Sequence, residues 1–163
     1  AASLISIVFG LDRINVGHIN DPDRNFPLDI IVFDPPPNES NVSIAIEVKD
    51  KPVGLSEVYS SIDKILDFNV KDIIYLALSN KQKSIDFSPV YERARNLGIK
   101  LVIFTEWNDF VSSCIALGSI SGQSVFPEVF KAVGDFSLQL GVSQEGLDLW
   151  STFSSNPEMK SPY

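Results

Sequence analysis

The pattern of apolar and polar positions divides the chain into short strands followed by alternating helices and strands. Residues 30–33 and 43–46 are apolar runs of strand length, and the segment 34–41 between them consists almost entirely of turn residues. This arrangement predicts an antiparallel hairpin. Ahead of it, residues 1–9 fit a helix or a buried strand equally well, and a short strand is expected around 13–19.

Beyond the hairpin, apolar residues recur at helical spacing and then in unbroken runs. The predicted elements are a helix from an N-cap at Ser56 to about Phe68, a strand at 73–78, a helix opened by Ser88-Pro89 and closed by Gly98, a buried strand at 99–105, and helices at 108–117, 126–140 and 144–153. Both later strands are apolar on each face, which favours parallel, helix-covered strands. The predicted fold class is therefore α/β, with a central mixed sheet flanked by helices. One domain is expected over residues 1–153, followed by a mobile tail at 154–163.

The hairpin register brings charged residues to one end of the sheet. A turn centred near Asn38 places Asp29 directly opposite Glu47, since each lies nine residues from that centre. Directly opposed side chains have Cβ atoms about 4.5–5.5 Å apart. Strand alternation adds Lys49 to the face that carries Glu47. Two carboxylates and an ammonium group are therefore expected on one face.

This charged group has a structural interpretation as well as a functional one. A surface hairpin can carry Glu47 and Lys49 as a solvated ion pair that contributes little to stability. The functional interpretation is favoured because opposed acids destabilise a hairpin and because charge at the end of apolar strands is costly unless it is paired or metal-bound. The small side chains of Ser43 and Ala45 are expected to leave room for a ligand on the same face. Together these residues predict a divalent-metal site in which the lysine contacts the ligand that the metal binds.

The motifs resemble those of a known family. Pro27-Leu28-Asp29 and, after a spacer, Glu47-Val48-Lys49 followed by a helix and a strand resemble the PD-(D/E)xK nuclease superfamily. The surrounding segments, residues 18–21, 27–30 and 46–50, particularly resemble type II restriction endonucleases. The resemblance covers residues 13–78, and it implies a restriction-endonuclease-like fold.

The resemblance also implies a chemistry. Asp29 and Glu47 would be catalytic residues that hold Mg²⁺, or Mn²⁺ in its place, with the backbone carbonyl of Val48 as a further ligand. Lys49 would orient the attacking water and offset charge on the phosphate. We expect this electrostatic role in preference to a general-base role. Many members add an acid from a helix ahead of the first strand. The nearest candidate is Asp12, or this acid belongs to residues that are absent from the chain.

The implied reaction is hydrolysis of phosphodiester bonds in double-stranded DNA, by a type II restriction enzyme or a fragment of one. Cutting both strands of a symmetric site implies a homodimer or an additional domain or chain. Lys51 and the helix start at Ser56 are candidate phosphate contacts, because free N–H groups at a helix N-terminus attract anions. A solvated lysine in a loop is an equal alternative for Lys51. His18, without a second histidine or cysteine nearby, is expected to be structural or surface-exposed.

Composition limits the classes of function. The 163 residues are 44% hydrophobic, enough for a compact domain, and no apolar run reaches the ~18–20 residues that cross a bilayer. No basic segment precedes the first apolar stretch, so a signal peptide is not expected. The single Cys114 excludes an internal disulfide and fits a cytoplasmic location.

The charge distribution leaves a second function open. The net charge of −8 opposes binding to a polyanion, yet residues 49–100 carry nine basic against seven acidic side chains, next to the candidate site. The overall acidity and the missing upstream acid favour the alternative of a catalytically inactive nuclease-like fold that serves in DNA docking or assembly. A doubly wound domain for a small ligand is disfavoured, because no Gly-rich phosphate loop follows any strand.

Overall fold

The computed structural model describes residues 1–17, 27–36, 41–120 and 125–155. The elements in chain order are α1 (Ala2–Phe9), a 3-10 turn (Leu11–Arg13), β1 (Ile14–Val16), β2 (Ile30–Phe33), β3 (Val42–Lys49), α2 (Leu55–Leu66), β4 (Asp72–Ala77), α3 (Ser88–Asn96), β5 (Lys100–Phe104), α4 (Trp107–Ile120), α5 (Val125–Gln139) and α6 (Gln144–Ser155). The helices and strands that the apolar pattern predicts are therefore present, with α1 settling the choice left open for residues 1–9.

The chain divides into two compact units. One consists of Ala1–Asp12 with Ser112–Tyr163, and the other is Arg13–Val111. A single domain over 1–153 stays a prediction. Helix α6 continues past residue 154, where the tail is predicted to begin, and residues 156–163 lie outside the described part of the chain.

The sheet of the second unit has the strand order β1-β2-β3-β4-β5. Strands β1, β2 and β3 are antiparallel neighbours, whereas β3, β4 and β5 are parallel. The predicted α/β class with a mixed sheet is confirmed. The prediction that β5 is buried is wrong: β5 is an edge strand with no fully buried residue, and Val102 is 48% exposed.

Helices α2 and α3 pack on one face of this sheet. In α2 the buried residues Val58, Ile62 and Ile65 lie three or four positions apart, which places them on one side of the helix. The buried cluster that they join consists of Leu28, Ala45, Val53, Val58, Ile62, Ile65, Val70, Ile73, Tyr75, Ala77, Val90, Ala94 and Ile99. The end of β3 is thereby fixed on a rigid layer of core residues.

Helix α2 begins earlier than the sequence predicts. Gly54, in an extended conformation, is the N-cap, and Leu55 is the first helical residue. The Gly54 N–H donates to the Glu57 side chain at 3.0 Å. The prediction of Ser56 as the N-cap is therefore wrong: Gly54 is the N-cap, and Glu57 at the third helical position accepts the N-cap N–H through its side chain.

The first unit is helical. The predicted helices at 108–117, 126–140 and 144–153 correspond to α4, α5 and α6. A Cβ at Gly118 would lie 2.4 Å from the Ile7 side chain, so glycine allows α1 and α4 to approach closely. Trp150 stacks on Phe130 with ring centroids 5.4 Å apart. Burial raises the pKa of the Cys114 thiol to about 11, which fits a buried apolar residue.

Within the described ranges, none of the helices combines the length and the apolar character needed to cross a bilayer.

Candidate active site

The candidate site lies where β2 begins and β3 ends. Ile30 pairs with Ile46 across these strands. One step further, the same register brings Asp29 next to Glu47, so the predicted pairing of the two acids is confirmed. The predicted turn centre, Asn38, lies outside the described residues.

Asp29 takes the place of a strand neighbour for Val48. Its Oδ2 accepts the Val48 N–H at 2.8 Å, and its own carbonyl accepts the Gly17 N–H at 2.9 Å. Both backbone polar groups of a residue in an antiparallel pair point to the same neighbour. The Val48 carbonyl is therefore directed to the side of β3 on which Asp29 lies. This is the placement that the predicted ligand set requires.

Lys49 joins the two carboxylates. Its Nζ forms an ion pair with Glu47 Oε1 and lies 3.9 Å from Asp29 Oδ2. The Glu47 side chain is only 10% exposed, whereas that of Asp29 is 48% exposed. The predicted convergence of two carboxylates and an ammonium group is confirmed, and it has a buried inner acid and an exposed outer acid.

Burial dominates the electrostatics of Glu47. Loss of solvation raises the pKa of its carboxyl above the ordinary value, and the neighbouring charge of Asp29 raises it further. The hydrogen bond and the charge of Lys49 act in the opposite direction. An ionised Glu47 therefore depends on a nearby cation, which is Lys49 in this structure.

The small residues of β3 do not provide space for a ligand, contrary to the prediction. Ala45 is fully buried in the core cluster that includes Val58 of α2, and the Ser43 hydroxyl donates to the Val32 carbonyl at 3.0 Å. The small side chain at residue 45 instead makes room for the helix that covers the sheet. Access to the carboxylates is left to the exposed side, where Asp29 lies.

The N-terminus of α2 is already occupied by a carboxylate. Glu57 Oε2 accepts the Gly54 N–H and, at 2.9 Å, the Ser56 hydroxyl. These hydrogen bonds lower the pKa of Glu57, with a smaller contribution from the charge of Lys51. Ser56 is therefore engaged within the helix end, while Lys51 is exposed in the preceding loop. Of the two predicted phosphate contacts, Lys51 is the one whose position suits the role.

A side-chain amide fixes the loop that carries Lys51. Gln82 accepts the Val53 N–H at 2.9 Å and donates to the Val53 carbonyl at 3.1 Å. It thus pairs with both polar groups of one backbone residue, as a neighbouring strand would. The connection between β3 and α2 is consequently held in one conformation beside the site.

Tyr75 is a site residue that the sequence analysis missed. It is the partner of Glu47 in the parallel register between β3 and β4, it is fully buried, and its hydroxyl has no hydrogen-bond partner among the described residues. Burial raises its pKa strongly, and the charge of Glu47 adds to this effect. Alternation in the apolar run 73–78 places Tyr75 on one face, but only the register with β3 shows that it lies beside Glu47.

The oxygen donors fit a hard divalent cation. Mg²⁺ is commonly held by one or two carboxylates, with water and substrate phosphate as the remaining ligands. Asp29, Glu47 and the Val48 carbonyl offer such a set, with Lys49 as the cation that stands between the acids. No group of three or more acidic, histidine or cysteine side chains suited to a metal occurs in the described part of the chain, and the role of Asp12 stays a prediction. His18 lies outside it.

Neither the family models nor the curated proteins compared with this sequence match it.

Proposed function

We propose that this chain is a Mg²⁺-dependent endonuclease of the PD-(D/E)xK type, which hydrolyses phosphodiester bonds in double-stranded DNA. The observation that carries the proposal is the convergence of Asp29, Glu47 and Lys49 at the ends of two adjacent strands. The order of two antiparallel strands, a helix and a parallel strand supports it, since this is the order that the resemblance implies. A type II restriction enzyme, or a part of one, in the cytoplasm is the form that we favour.

The two acids and the Val48 carbonyl would hold Mg²⁺, and Mn²⁺ would substitute. When bound, the cation lowers the pKa of a coordinated water and polarises the phosphate. Asp29 is already oriented by the Val48 N–H, so one ligand is fixed in advance. Glu47 is buried, so its ionised form favours a positive partner.

Lys49 supplies positive charge to the reacting phosphate. In the structure its ammonium group is engaged by the two carboxylates. A divalent cation at the same carboxylates would take over their charge and release the ammonium group to the phosphate. There it would offset the negative charge that develops during hydrolysis.

Positive side chains around the acids would offset the repulsion between an acidic chain and DNA. The charge of Lys64 lowers the pKa of Glu47, and that of Lys51 lowers the pKa of Glu57, so both lysines act on carboxylates at this end of the sheet. Lys51 and Lys64 are exposed and suited to phosphate contacts. Given the net charge of −8, we expect a second copy or an additional domain or chain to contribute further DNA contacts.

The proposal is tested by incubating the full chain with supercoiled plasmid and linear duplex DNA, with Mg²⁺ or Mn²⁺ and with chelator. We expect cation-dependent cleavage, reduced more than about 100-fold by Lys49→Ala because a charged group that stabilises the transition state is lost. Circular dichroism would verify that the variant is folded.

Lys71→Ala is the matched control for this experiment. Lys71 precedes β4 at the opposite end of the sheet, at the level of Ser43 and so about 20 Å along the strands from Lys49. Its substitution should leave cleavage unchanged. Full activity in a folded Lys49→Ala variant would falsify the mechanism.

A DNA-docking or assembly module is the second candidate. One observation favours it: Lys49 already forms ion pairs with both carboxylates, which leaves a single net negative charge at the site without a metal. Titration with Mn²⁺ by calorimetry separates the two functions. A docking module should bind duplex DNA in a fluorescence anisotropy assay while showing no Mn²⁺ site that depends on Asp29 and Glu47.

A further inference from the structure

Tyr75 is a buried polar residue that the proposed chemistry does not use. It lies in β4 with no exposed surface, and its hydroxyl forms no hydrogen bond with any described residue. A buried hydroxyl without a partner destabilises the folded protein, and such groups call for an explanation in function or structure.

The position of Tyr75 supplies that explanation. It pairs with Glu47 in the parallel register, so the two side chains leave neighbouring strands on the same face, with the strands about 4.8 Å apart. After burial, the charges of Glu47, Glu57 and Asp29 all act to keep the Tyr75 hydroxyl protonated by raising its pKa. The hydroxyl is therefore a neutral donor on the face of the sheet that carries Glu47.

Ser61 does not take up this donor. It lies beside Tyr75 on the buried side of α2, but its own hydroxyl donates to the Glu57 carbonyl at 3.3 Å. The Ser61 hydroxyl lies close enough to lower the pKa of Tyr75, yet the contact falls short of hydrogen-bond geometry. The proton of the Tyr75 hydroxyl thus stays available to a carboxylate on its own face of the sheet.

We propose that Tyr75 is a positioning residue for Glu47, whose carboxylate accepts a hydrogen bond from the Tyr75 hydroxyl when Lys49 no longer holds it. In the structure Glu47 is held through Oε1 by Lys49. A cation that replaces Lys49 frees the carboxylate to turn, so that one oxygen faces the cation and the other faces Tyr75. The hydrogen bond then fixes which oxygen is offered to the cation. This part of the inference rests on the proposed metal-dependent function.

Calorimetric titration of the full chain with Mn²⁺ provides the first test. Tyr75→Phe keeps the buried ring and removes only the hydroxyl. We expect it to weaken Mn²⁺ binding by about 10–100-fold, the usual cost of removing a group that orients a metal ligand. Tyr59→Phe is the matched control. Tyr59, in α2, packs against the Arg93 guanidinium, which lies 5.4 Å from the centre of its ring, so this substitution should leave the affinity for Mn²⁺ unchanged. Equal affinities in wild type and Tyr75→Phe would overturn the inference.

A second test needs no metal. In a Lys49→Met background Glu47 lacks its cation, and the Tyr75 hydroxyl becomes its donor. Adding Tyr75→Phe should then raise the pKa of Glu47, because a hydrogen bond to the ionised form is lost. Carbon-detected NMR of the Glu47 carboxyl group measures this pKa. An unchanged Glu47 titration would refute the positioning role, even if the melting temperature shifts. If wild type binds no Mn²⁺, the metal-dependent function fails, and this comparison still decides the role of Tyr75.

Discussion

Two glutamates at the same end of the sheet show how a fold can use one side chain in two ways. Glu47, at the end of β3, is buried and has a raised pKa, with a lysine as its main partner. Glu57, in the first turn of α2, accepts hydrogen bonds from the Gly54 N–H and the Ser56 hydroxyl and has a lowered pKa. Glu57 is satisfied by its own helix, whereas Glu47 still favours a cation.

This difference identifies the acid that is available for chemistry. A carboxylate that accepts fixed backbone and hydroxyl donors stabilises local structure, and moving it would unmake a helix end. A buried carboxylate held by one flexible lysine can exchange that partner for a metal ion. Proximity alone would not separate the two, since both lie close enough to influence Tyr75.

The largest predicted effect contrasts the two glutamates directly. Glu47→Gln should reduce Mn²⁺ affinity and DNA cleavage more than about 100-fold, because loss of a ligand exceeds the 10–100-fold cost of losing a group that only orients one. Glu57→Gln should change either quantity by less than about twofold, a margin within the ordinary effect of a surface change. Calorimetry and plasmid cleavage measure both. Equal losses in the two variants would remove the distinction between them.

Asp29 tests an intermediate case, since it is both a candidate ligand and a hydrogen-bond acceptor for Val48. Asp29→Ala should abolish cleavage and lower the free energy of unfolding by about 1 kcal/mol, because the Val48 N–H loses its acceptor. Asp29→Asn keeps a carbonyl oxygen and should restore most of that stability without restoring cleavage. Urea denaturation gives the stabilities. If Asp29→Asn is as unstable as Asp29→Ala, the hydrogen bond has no structural role.

The smallest predicted effect is on how the free energy of unfolding depends on pH. Glu47 and Glu57 should change it in opposite directions, Glu47 above pH 4.5 and Glu57 below it, where 4.5 is the ordinary glutamate pKa. Above 4.5, the folded protein keeps the proton on Glu47 longer than the unfolded chain, so this residue makes the free energy of unfolding fall as pH rises. Below 4.5, Glu57 stays ionised longer in the folded state, and its stabilising contribution is lost as pH falls.

Urea denaturation from pH 3 to pH 7 would reveal both contributions. Glu47→Gln should remove the decline above 4.5, and Glu57→Gln should remove the loss below it. A stability difference between Glu47→Gln and wild type that is constant with pH would show that Glu47 has the same pKa in the folded and unfolded states.

The main features of the site could be predicted from the sequence because a hairpin has a period of two. A slip of one residue would move every side chain to the other face, so the alternation of apolar residues fixes which ones lie together. That constraint places Glu47 and Lys49 on one face, and the turn centre near Asn38 places Asp29 opposite Glu47. Gly54 as the N-cap was missed because it has no side chain to signal the role, although Glu57 three residues later is part of a known helix-start pattern.

Tyr75 and Ala45 could not be placed in the same way. The register between β3 and β4 is set by how α2 packs across both strands, and no local pattern encodes it. For the same reason, the small size of Ala45 indicates close approach without indicating whether a helix or a ligand approaches. The contacts that a crossover helix makes decide both questions.

The irregularity in the hairpin between Val32 and Phe33 has a consequence for how this protein can evolve. On the turn side of it, Phe33 pairs with Val42, one step out of the register that brings Asp29 to Glu47. The pairing near the turn is thus independent of the pairing near the acids. A change of register caused by an insertion or deletion in the turn need not extend along the strands to Asp29 and Glu47. We therefore expect changes in the length or sequence of the turn to leave the geometry of the two carboxylates intact.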